Sequence, residues 1–387
     1  MLLPFWRFLE EKPLYYKEID HTRIARAYAI LKPHIRHPQT VHLVGTNAKG
    51  STGRMVAHLA YKSGKRVGHY SSPHIVRFNE RLWRNGEECS NEEIEQAHQR
   101  LFPLLGEEMS EALSYFEYTT LLAFVLFESC DLMVLEAGLG GEFDATNVCD
   151  KALSIITPIA IDHQAFLGES IEEIATTKLR SIQKEALLAR QPYKEVLPIA
   201  QAIAKERGAV LHTIKGSKSN AQLEKIASQK GWGGYLVENA FVALKALEIL
   251  SIPVQMEHLL ALELFGRFYP LSENIHIDVG HNPLASQAIV EALQKEVVLI
   301  YNSLDDKDYK EVLRLLKPKI KRVEILPIQT QRASTQEEIV RALEQLAIPY
   351  STFQGKLEEG EHYLVFGSFY VVEAFLRWRE NQTKEEE

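Results

Sequence analysis

Cysteine is scarce in this chain of 387 residues, with Cys89, Cys130 and Cys149 its only three. An odd count without C-x-x-C spacing excludes a disulfide framework and a cysteine-based zinc or redox motif, and it points to a reducing compartment. Long apolar runs are missing as well. The longest, Leu121 to Phe127, is far below the roughly 18 residues that a membrane span requires. The apolar opening from Met1 to Trp6 meets Arg7, Glu10, Glu11 and Lys12 before the core of a secretion signal could form. A cytoplasmic protein without a membrane partner is therefore expected. Basic blocks are also lacking, and the formal net charge is −8. That excludes a nucleic-acid footprint of the usual kind and favours a small-molecule partner. Internal repeats and low-complexity segments are absent. The chain is 45% hydrophobic and 25% charged, the balance of a globular protein, which excludes disordered and fibrous classes. Its length implies two or three domains at about 100–200 residues each, and two are expected.

The run Val41-His42-Leu43-Val44-Gly45-Thr46-Asn47-Ala48-Lys49-Gly50-Ser51-Thr52 organises the rest. A β-branched apolar strand breaks into small residues with one lysine and two hydroxyls, and Met55, Val56, Leu59 and Ala60 then recur at helical spacing. Strand, loop and helix in that order read as a phosphate-binding loop, or alternatively as a plain strand-to-helix turn. Backbone N–H groups hold phosphate oxygens, Lys49 adds a point charge, and Ser51 or Thr52 is within reach of a magnesium ion. The lysine precedes the second glycine, so the usual G-x-x-x-x-G-K-[ST] order is not present.

Ile24, Ala27, Tyr28 and Leu31 predict a helix within 13–36, capped by Asp20 or Thr22 and ended by Pro33. A short strand is expected over Gly64–Tyr70. Residues Ile75 to Glu88 show no sustained period and read as a long loop, or alternatively as an exposed hairpin. Ser90 and Glu93 have capping-box spacing, and a second helical stretch covers Tyr118 to Ser129. In Leu132-Met133-Val134-Leu135-Glu136-Ala137-Gly138 a buried strand ends in a carboxylate, placed where a nucleotide-bound metal needs an anionic ligand. Leu153–Thr157 is a further strand, followed by Asp162 and His163. In the next helix, opened by Ser170 and Glu173, Lys178 shares a face with Ile171, Ile174 and Ala175. A lysine on an apolar face either snorkels to water or works as a neutral amine. Residues 183–235 read as polar and helix-rich, followed by a helix Asn239–Leu250. A boundary between domains 1–258 and 259–387 is expected at the change of pattern after Met256. Beyond it, strands Ile275–Val279, Val297–Tyr301, Val323–Leu326 and Tyr363–Gly367 alternate with helices Ala285–Leu293, Tyr309–Leu316, Glu337–Leu346 and Val371–Trp378. Such alternation gives βαβ units and a mostly parallel sheet. The tail Glu380–Glu387 reads as a frayed end.

With these pieces placed, the sequence resembles the folylpolyglutamate synthase and dihydrofolate synthase family, within the Mur-ligase-like ATP-dependent amide ligases. The resemblance rests on the phosphate loop, Tyr70-Ser-Ser-Pro-His-Ile-Val-Arg-Phe-Asn-Glu-Arg81, Leu135-Glu-Ala-Gly-Leu-Gly-Gly-Glu-Phe-Asp-Ala-Thr-Asn147, Asp162-His163, Phe265-Gly-Arg267, Asp278-Val-Gly-His-Asn-Pro283 and Leu304-Asp-Asp-Lys-Asp308. It implies an α/β protein with an N-terminal P-loop ATPase domain and a C-terminal Rossmann-like α/β glutamate-ligase domain. The implied activity joins L-glutamate to dihydropteroate and extends folates with further glutamates, through an acyl phosphate made from ATP. A ligase of this group acting on another carboxylate, or a nucleotide-binding regulator without ligation, are the alternatives. A monomer is expected.

By position, the resemblance implies that Asn47, Ala48, Lys49, Gly50 and Ser51 hold the ATP phosphates. Ser72, Glu136 and His163 match ligands of magnesium, two ions in all, and Lys178 matches a lysine carbamylated by carbon dioxide. Lys49, Glu136, His163 and Lys178 thus form the expected catalytic set. Asn239, Arg267 and Asp278 match nucleotide contacts. Phe116, Glu117, Tyr118 and Thr119, with Phe143, Asp144 and Ala145, match segments that hold the pterin substrate, and His281 and Ser368 match the glutamate side. Four places depart from the family pattern. Ala48 replaces a glycine, and Glu142 stands where arginine is usual. Asp20-His21-Thr22-Arg23 lacks a glycine-leucine pair, and Thr177-Lys-Leu-Arg-Ser-Ile182 differs around the lysine.

Overall fold

A computed structural model describes residues 2–13, 20, 22–214 and 220–386. Parts of three expectations lie outside the described residues: 14–19 and His21 of the N-terminal helix and substrate segment, 215–219 of the polar stretch, and Glu387 of the tail. The chain divides into two compact units, Met1–Ser219 with Asn239–Leu262, and Asn220–Glu238 with Glu263–Glu387. The helix Gly234–Ile249 carries residues of both. Both units are α/β, as the sequence implies. No helix of the described residues is long and apolar enough to cross a membrane.

The first unit is built on strands β1 (Gln39–Val44), β2 (Val67–Tyr70), β3 (Leu82–Arg84), β4 (Glu87–Glu88), β5 (Leu132–Glu136), β6 (Leu153–Ile156), β7 (Glu185–Leu188) and β8 (Val210–Thr213). They lie in the order β4-β3-β2-β5-β1-β6-β7-β8. The six from β2 to β8 pair in parallel, while β3 and β4 return antiparallel at one edge. The central strands are buried on both faces, their polar members Thr40, His42, His69 and Ser154 included. The helix Tyr115–Phe127 is apolar all round, with ten consecutive residues from Tyr118 buried. It packs with Phe5, Phe8, Leu101 and Leu31 in one core, and Ile174, Leu179, Leu188 and Ala200 build another.

The second unit carries β9 (Tyr269–Ser272), β10 (Ile275–Ile277), β11 (Val297–Tyr301), β12 (Ile320–Ile325), β13 (Tyr350–Thr352) and β14 (Tyr363–Phe366) in the order β13-β12-β11-β14-β10-β9. All neighbours are parallel except the β9–β10 pair. Leu299, Tyr301, Leu313 and Phe366 centre its core.

Several local expectations are corrected. The long loop over Ile75–Glu88 contains the short helical turn Phe78–Arg81 and the β3–β4 hairpin, whose Leu82 and Trp83 are buried. Strands of two or three residues leave too short a pattern to read. The polar stretch 183–235 hides β7 and β8, because β8 is an edge strand that alternates no further than four residues. The helix expected from Tyr118 starts at Tyr115, where Ser114 and Glu117 form a capping box. The last helix runs Phe369–Glu386, so the tail expected to fray is helical as far as it is described.

Candidate active site

β1 stops at Val44, and a Cβ added to Gly45 would lie 2.0 Å from Thr157 Oγ1, so only glycine lets the chain turn beside the end of β6. The loop is then fastened to the segment after β6. The Thr46 and Asn47 N–H groups donate to the Pro158 carbonyl at 2.9 and 3.2 Å. The Thr46 hydroxyl donates to the Ala160 carbonyl and accepts the Ala160 N–H, both at 3.0 Å. The helix Lys49–Lys62 begins with no side-chain cap and no acidic residue in its first turn. Its first N–H groups have no acceptor within the helix, so the positive end of the dipole is presented as an anion site. Lys49 Nζ donates to the Gly45 and Thr46 carbonyls at 3.2 and 3.3 Å. Of the two hydroxyls, Ser51 Oγ donates to the Ala48 carbonyl and accepts from Asn239 Nδ2 at 2.9 Å. Thr52 Oγ1 is buried without a hydrogen-bond partner among the described residues, which fits a group that gains one from a bound phosphate or its metal.

Ala48 adopts φ 69°, the left-handed conformation in which a methyl costs about 1 kcal/mol or more relative to glycine. Ala48→Gly should therefore stabilise the protein by about 1 kcal/mol, raising the melting temperature by about 2–4 °C. A thermal melt with an unchanged or lower midpoint would show that the surrounding structure already absorbs the strain.

Lys178 is 4% exposed and lies on the buried face of the helix Ile171–Leu179, so snorkelling is not its solution. Its Nζ donates to the Gly45 carbonyl at 3.0 Å, the same oxygen that Lys49 reaches. Burial, followed by the charge of Lys49, pulls its pKa down to about 7 from 10.5, with Asp162 and Asp144 opposing. At neutral pH a large share of the amine is unprotonated.

Glu136 is the last residue of β5, in register with Leu43 of β1, and is almost fully buried. Its Oε2 accepts the Ser72 N–H at 3.2 Å, so the structure brings these two expected ligands together beside the phosphate loop. Their oxygens suit magnesium, which takes one or two carboxylates along with substrate phosphates. His163 stands after β6 with φ 52°, capping the short helix Gln164–Leu167, its Nε2 3.9 Å from Asp162 Oδ2. Among the described residues no group of three or more His, Cys, Asp or Glu side chains is gathered to hold a metal. By the resemblance, Glu136 and Ser72 would serve one ion and His163 a second, with further oxygens from a nucleotide.

The expected substrate segments divide into exposed and buried members. Phe116 stacks on Tyr70 with ring centres 5.8 Å apart, and its ring tip approaches Gly138. Glu117 is held by Arg23 at 2.8 Å and by its own capping box. Tyr118 is fully buried, its hydroxyl 2.7 Å from His98 Nδ1, and Thr119 bonds the Tyr70 hydroxyl at 2.8 Å. Phe143 is 53% exposed. Asp144 turns inward, accepting the Leu139 N–H at 2.8 Å and the Thr146 N–H and hydroxyl at 3.0 and 2.5 Å. Burial raises its pKa against those bonds. Thr146 in turn accepts from His42 Nε2 on β1 at 2.7 Å. Because the Thr146 proton is directed at Asp144, Nε2 is assigned as the protonated nitrogen. Ala145 is buried beside them.

In the second unit, Asp278 follows β10 and is buried. It accepts from the Phe268 and Gly280 N–H groups at 2.8 and 2.7 Å and from the Tyr235 hydroxyl at 3.2 Å. Burial raises its pKa, and Arg267 opposes the rise. Arg267 stacks over Phe369 at 5.4 Å. His281 donates from Nδ1 to the Val279 carbonyl at 3.2 Å, and Ser368 Oγ accepts the Val371 N–H at 3.2 Å. The Gly367 N–H donates to the Gly280 carbonyl at 3.1 Å, so His281 and Ser368 occupy neighbouring carboxyl ends of the parallel strands β10 and β14.

No family model matches the chain. It is 30% identical over 385 residues to the dihydrofolate synthase/folylpolyglutamate synthase of Escherichia coli strain K12, a match covering 90% of this chain and 88% of that protein. The chain belongs to the dihydrofolate synthase/folylpolyglutamate synthase family. The crystal structure of Helicobacter pylori folylpolyglutamate synthetase is 40% identical, with a TM-score of 0.79 over 97% of this chain and 98% of that one. The structure of Escherichia coli FolC in complex with DHPP and ADP is 28% identical, with a TM-score of 0.82 over 98% and 99%.

Against this family the departure at Glu142 has a local counterpart. Arg180 Nη1 lies 3.4 Å from Glu142 Oε2, and Arg180 falls in the run around Lys178 that also departs from the family pattern. A positive charge is thus supplied from the neighbouring helix end. Sequence reading found neither this pairing nor the His42–Thr146–Asp144 chain, because partners 38 and 104 residues apart leave no periodic signal.

Proposed function

We propose that the protein is a magnesium- and ATP-dependent ligase that joins L-glutamate to dihydropteroate and adds glutamates to folates. The observation that carries this reading is the meeting of Lys49 and Lys178 on the Gly45 carbonyl, one strand from the Glu136–Ser72 pair. A carboxylate is a poor acyl donor because its leaving oxygen is too basic. In the proposed reaction the acceptor's carboxylate oxygen attacks the γ-phosphorus of ATP, and ADP leaves. The amino group of glutamate then attacks the acyl carbon, phosphate departs, and the nitrogen loses its proton to give the amide. Lys49 and the first-turn N–H groups Lys49, Gly50 and Ser51 neutralise the phosphoryl oxygens, and Asn239 steadies Ser51. Ala48 shapes the turn, and Asn47 lies within the loop. When bound, one magnesium ion held by Glu136 and Ser72 and a second held by His163 would supply charge on the phosphates. Lys178, as a neutral amine, can add to carbon dioxide and release a proton to give a carbamate.

Phe116 and Phe143 are assigned to contact with the pterin. Glu117, Tyr118, Thr119, Asp144 and Ala145 shape that surface from behind. Arg267 and Asp278 are assigned to the nucleotide, His281 and Ser368 to glutamate. Residues 1–258 would form the ATP-binding domain and 259–387 the glutamate-ligase domain, in a cytoplasmic monomer. Pairing with Arg180 offsets the Glu142 charge, so Glu142 does not by itself oppose an acidic acceptor. The purified protein should release phosphate from ATP only with dihydropteroate and glutamate, or a folate and glutamate, present together. Release that ignores the acceptor would overturn the reading. A panel of other carboxylates separates it from a ligase of different acceptor.

A further inference from the structure

Lys151, which nothing above assigns to the chemistry, is 3% exposed and pairs with no carboxylate among the described residues. Its Nζ donates to the Ser181 carbonyl at 2.8 Å and to Asn147 Oδ1. Burying an ammonium group with neutral acceptors alone is costly, and an apolar side chain of similar volume is often the more stable choice. Desolvation lowers its pKa to about 8. What the ammonium provides instead is fixed geometry between two segments distant in sequence.

Those segments close a ring. Asn147 Nδ2 donates to the Glu142 carbonyl at 2.7 Å, and the Glu142 N–H donates to the Thr177 carbonyl at 2.9 Å. Ser181 Oγ donates to the Lys178 carbonyl at 2.8 Å. A Cβ at Gly141 would lie 2.5 Å from that same carbonyl oxygen, so the two segments touch backbone to backbone beside it. One end of the ring carries Lys178, whose Nζ reaches the phosphate loop, and the other carries Phe143.

We propose that Lys151 is a positioning residue that holds the Glu142–Asn147 loop in register with the Lys178–Ser181 turn, and so sets the acceptor surface against the phosphate loop. The assignment of the loop to the acceptor rests on the proposed function; the mechanical link does not. Lys151→Met removes the donors and keeps the volume. It should raise amide hydrogen exchange in residues 139–147 and 178–182 in the ligand-free protein. It should also lower kcat/KM for the acceptor about tenfold while the ADP dissociation constant moves less than twofold. Combined with Asn147→Ala, it should cost no more than the worse single change. Exchange and kinetics equal to wild type, or acceptor and nucleotide parameters weakened together in step with a lower melting temperature, would overturn the proposal. If Lys151→Met does not fold, Lys151→Leu, which likewise removes the donors to Asn147 and Ser181, serves for the same comparison. Should the wild type ligate no pterin acid, the functional reading fails, whereas the exchange experiment still decides the role of Lys151.

Discussion

Lys178→Ala should lower the rate of glutamate ligation by about two to three orders of magnitude while leaving ADP affinity nearly intact. The side chain is buried where desolvation and Lys49 outweigh the support of Asp162 and Asp144 for its charge, and its one hydrogen bond within the described residues is to the carbonyl that also receives Lys49. A regulator that only binds nucleotide would be indifferent to the change, so steady-state kinetics of the variant separates the two readings directly. The pH behaviour follows from the same burial. The folded pKa of about 7 lies below the ordinary 10.5. Between those values the unfolded chain binds the extra proton, and stability must rise with pH across that window. Below about pH 7 both states are protonated and the burial penalty is felt in full. Thermal melts of wild type and Lys178→Met, compared from pH 6.5 to 9, should therefore converge as pH rises. A constant gap would mean that the amine is neutral, or charged, throughout. Added bicarbonate should raise activity only on the alkaline side, where the free amine exists to take up carbon dioxide.

Glu136→Gln is expected to be almost as damaging. The amide keeps the size and can still accept the Ser72 N–H, so the loop after β2 should stay in place and the melting temperature should change little. What is lost is the one anionic charge in the Glu136–Ser72 pair, the part of the site with oxygen donors for a divalent ion. Activity should fall about a hundredfold or more, and the magnesium concentration for half-maximal rate should rise. A variant with an unaltered magnesium titration would remove Glu136 from the metal site.

Much of this was legible before any coordinates. The strand, loop and helix around Lys49, the carboxylate closing β5 and the apolar-face position of Lys178 each follow from short-range pattern, because parallel βαβ units bury their strands on both faces and end them in glycine-rich loops. The family resemblance then tied the segments into one chemistry. Pattern reached less far where a residue's role depends on partners remote in sequence. Asp144 carries a carboxylate inside a substrate-like motif, yet its oxygens hold the loop's own N–H groups. Tyr118 sits in the same motif as Phe116, but two helical positions turn it into the core against His98. Lys151 gave no signal, since its burial is fixed by Asn147 on one side and Ser181 on the other. The short edge strands β4, β9 and β13 also escaped, as two to four residues with one exposed face do not establish a period.

The strand order has a kinetic consequence. β1, which delivers the phosphate loop, pairs with β5 at Gln39↔Leu132 and with β6 at Val41↔Leu153, separations of 132 − 39 = 93 and 153 − 41 = 112 residues. Such distant pairings are slow to form, since the chain between must be confined before contacts reward it. During synthesis β1 waits for more than a hundred further residues before its second neighbour exists. The phosphate loop is therefore fixed only after the local helices and hairpin of its unit can form, and ADP binding recovered during refolding reports closure of the sheet rather than its nucleation.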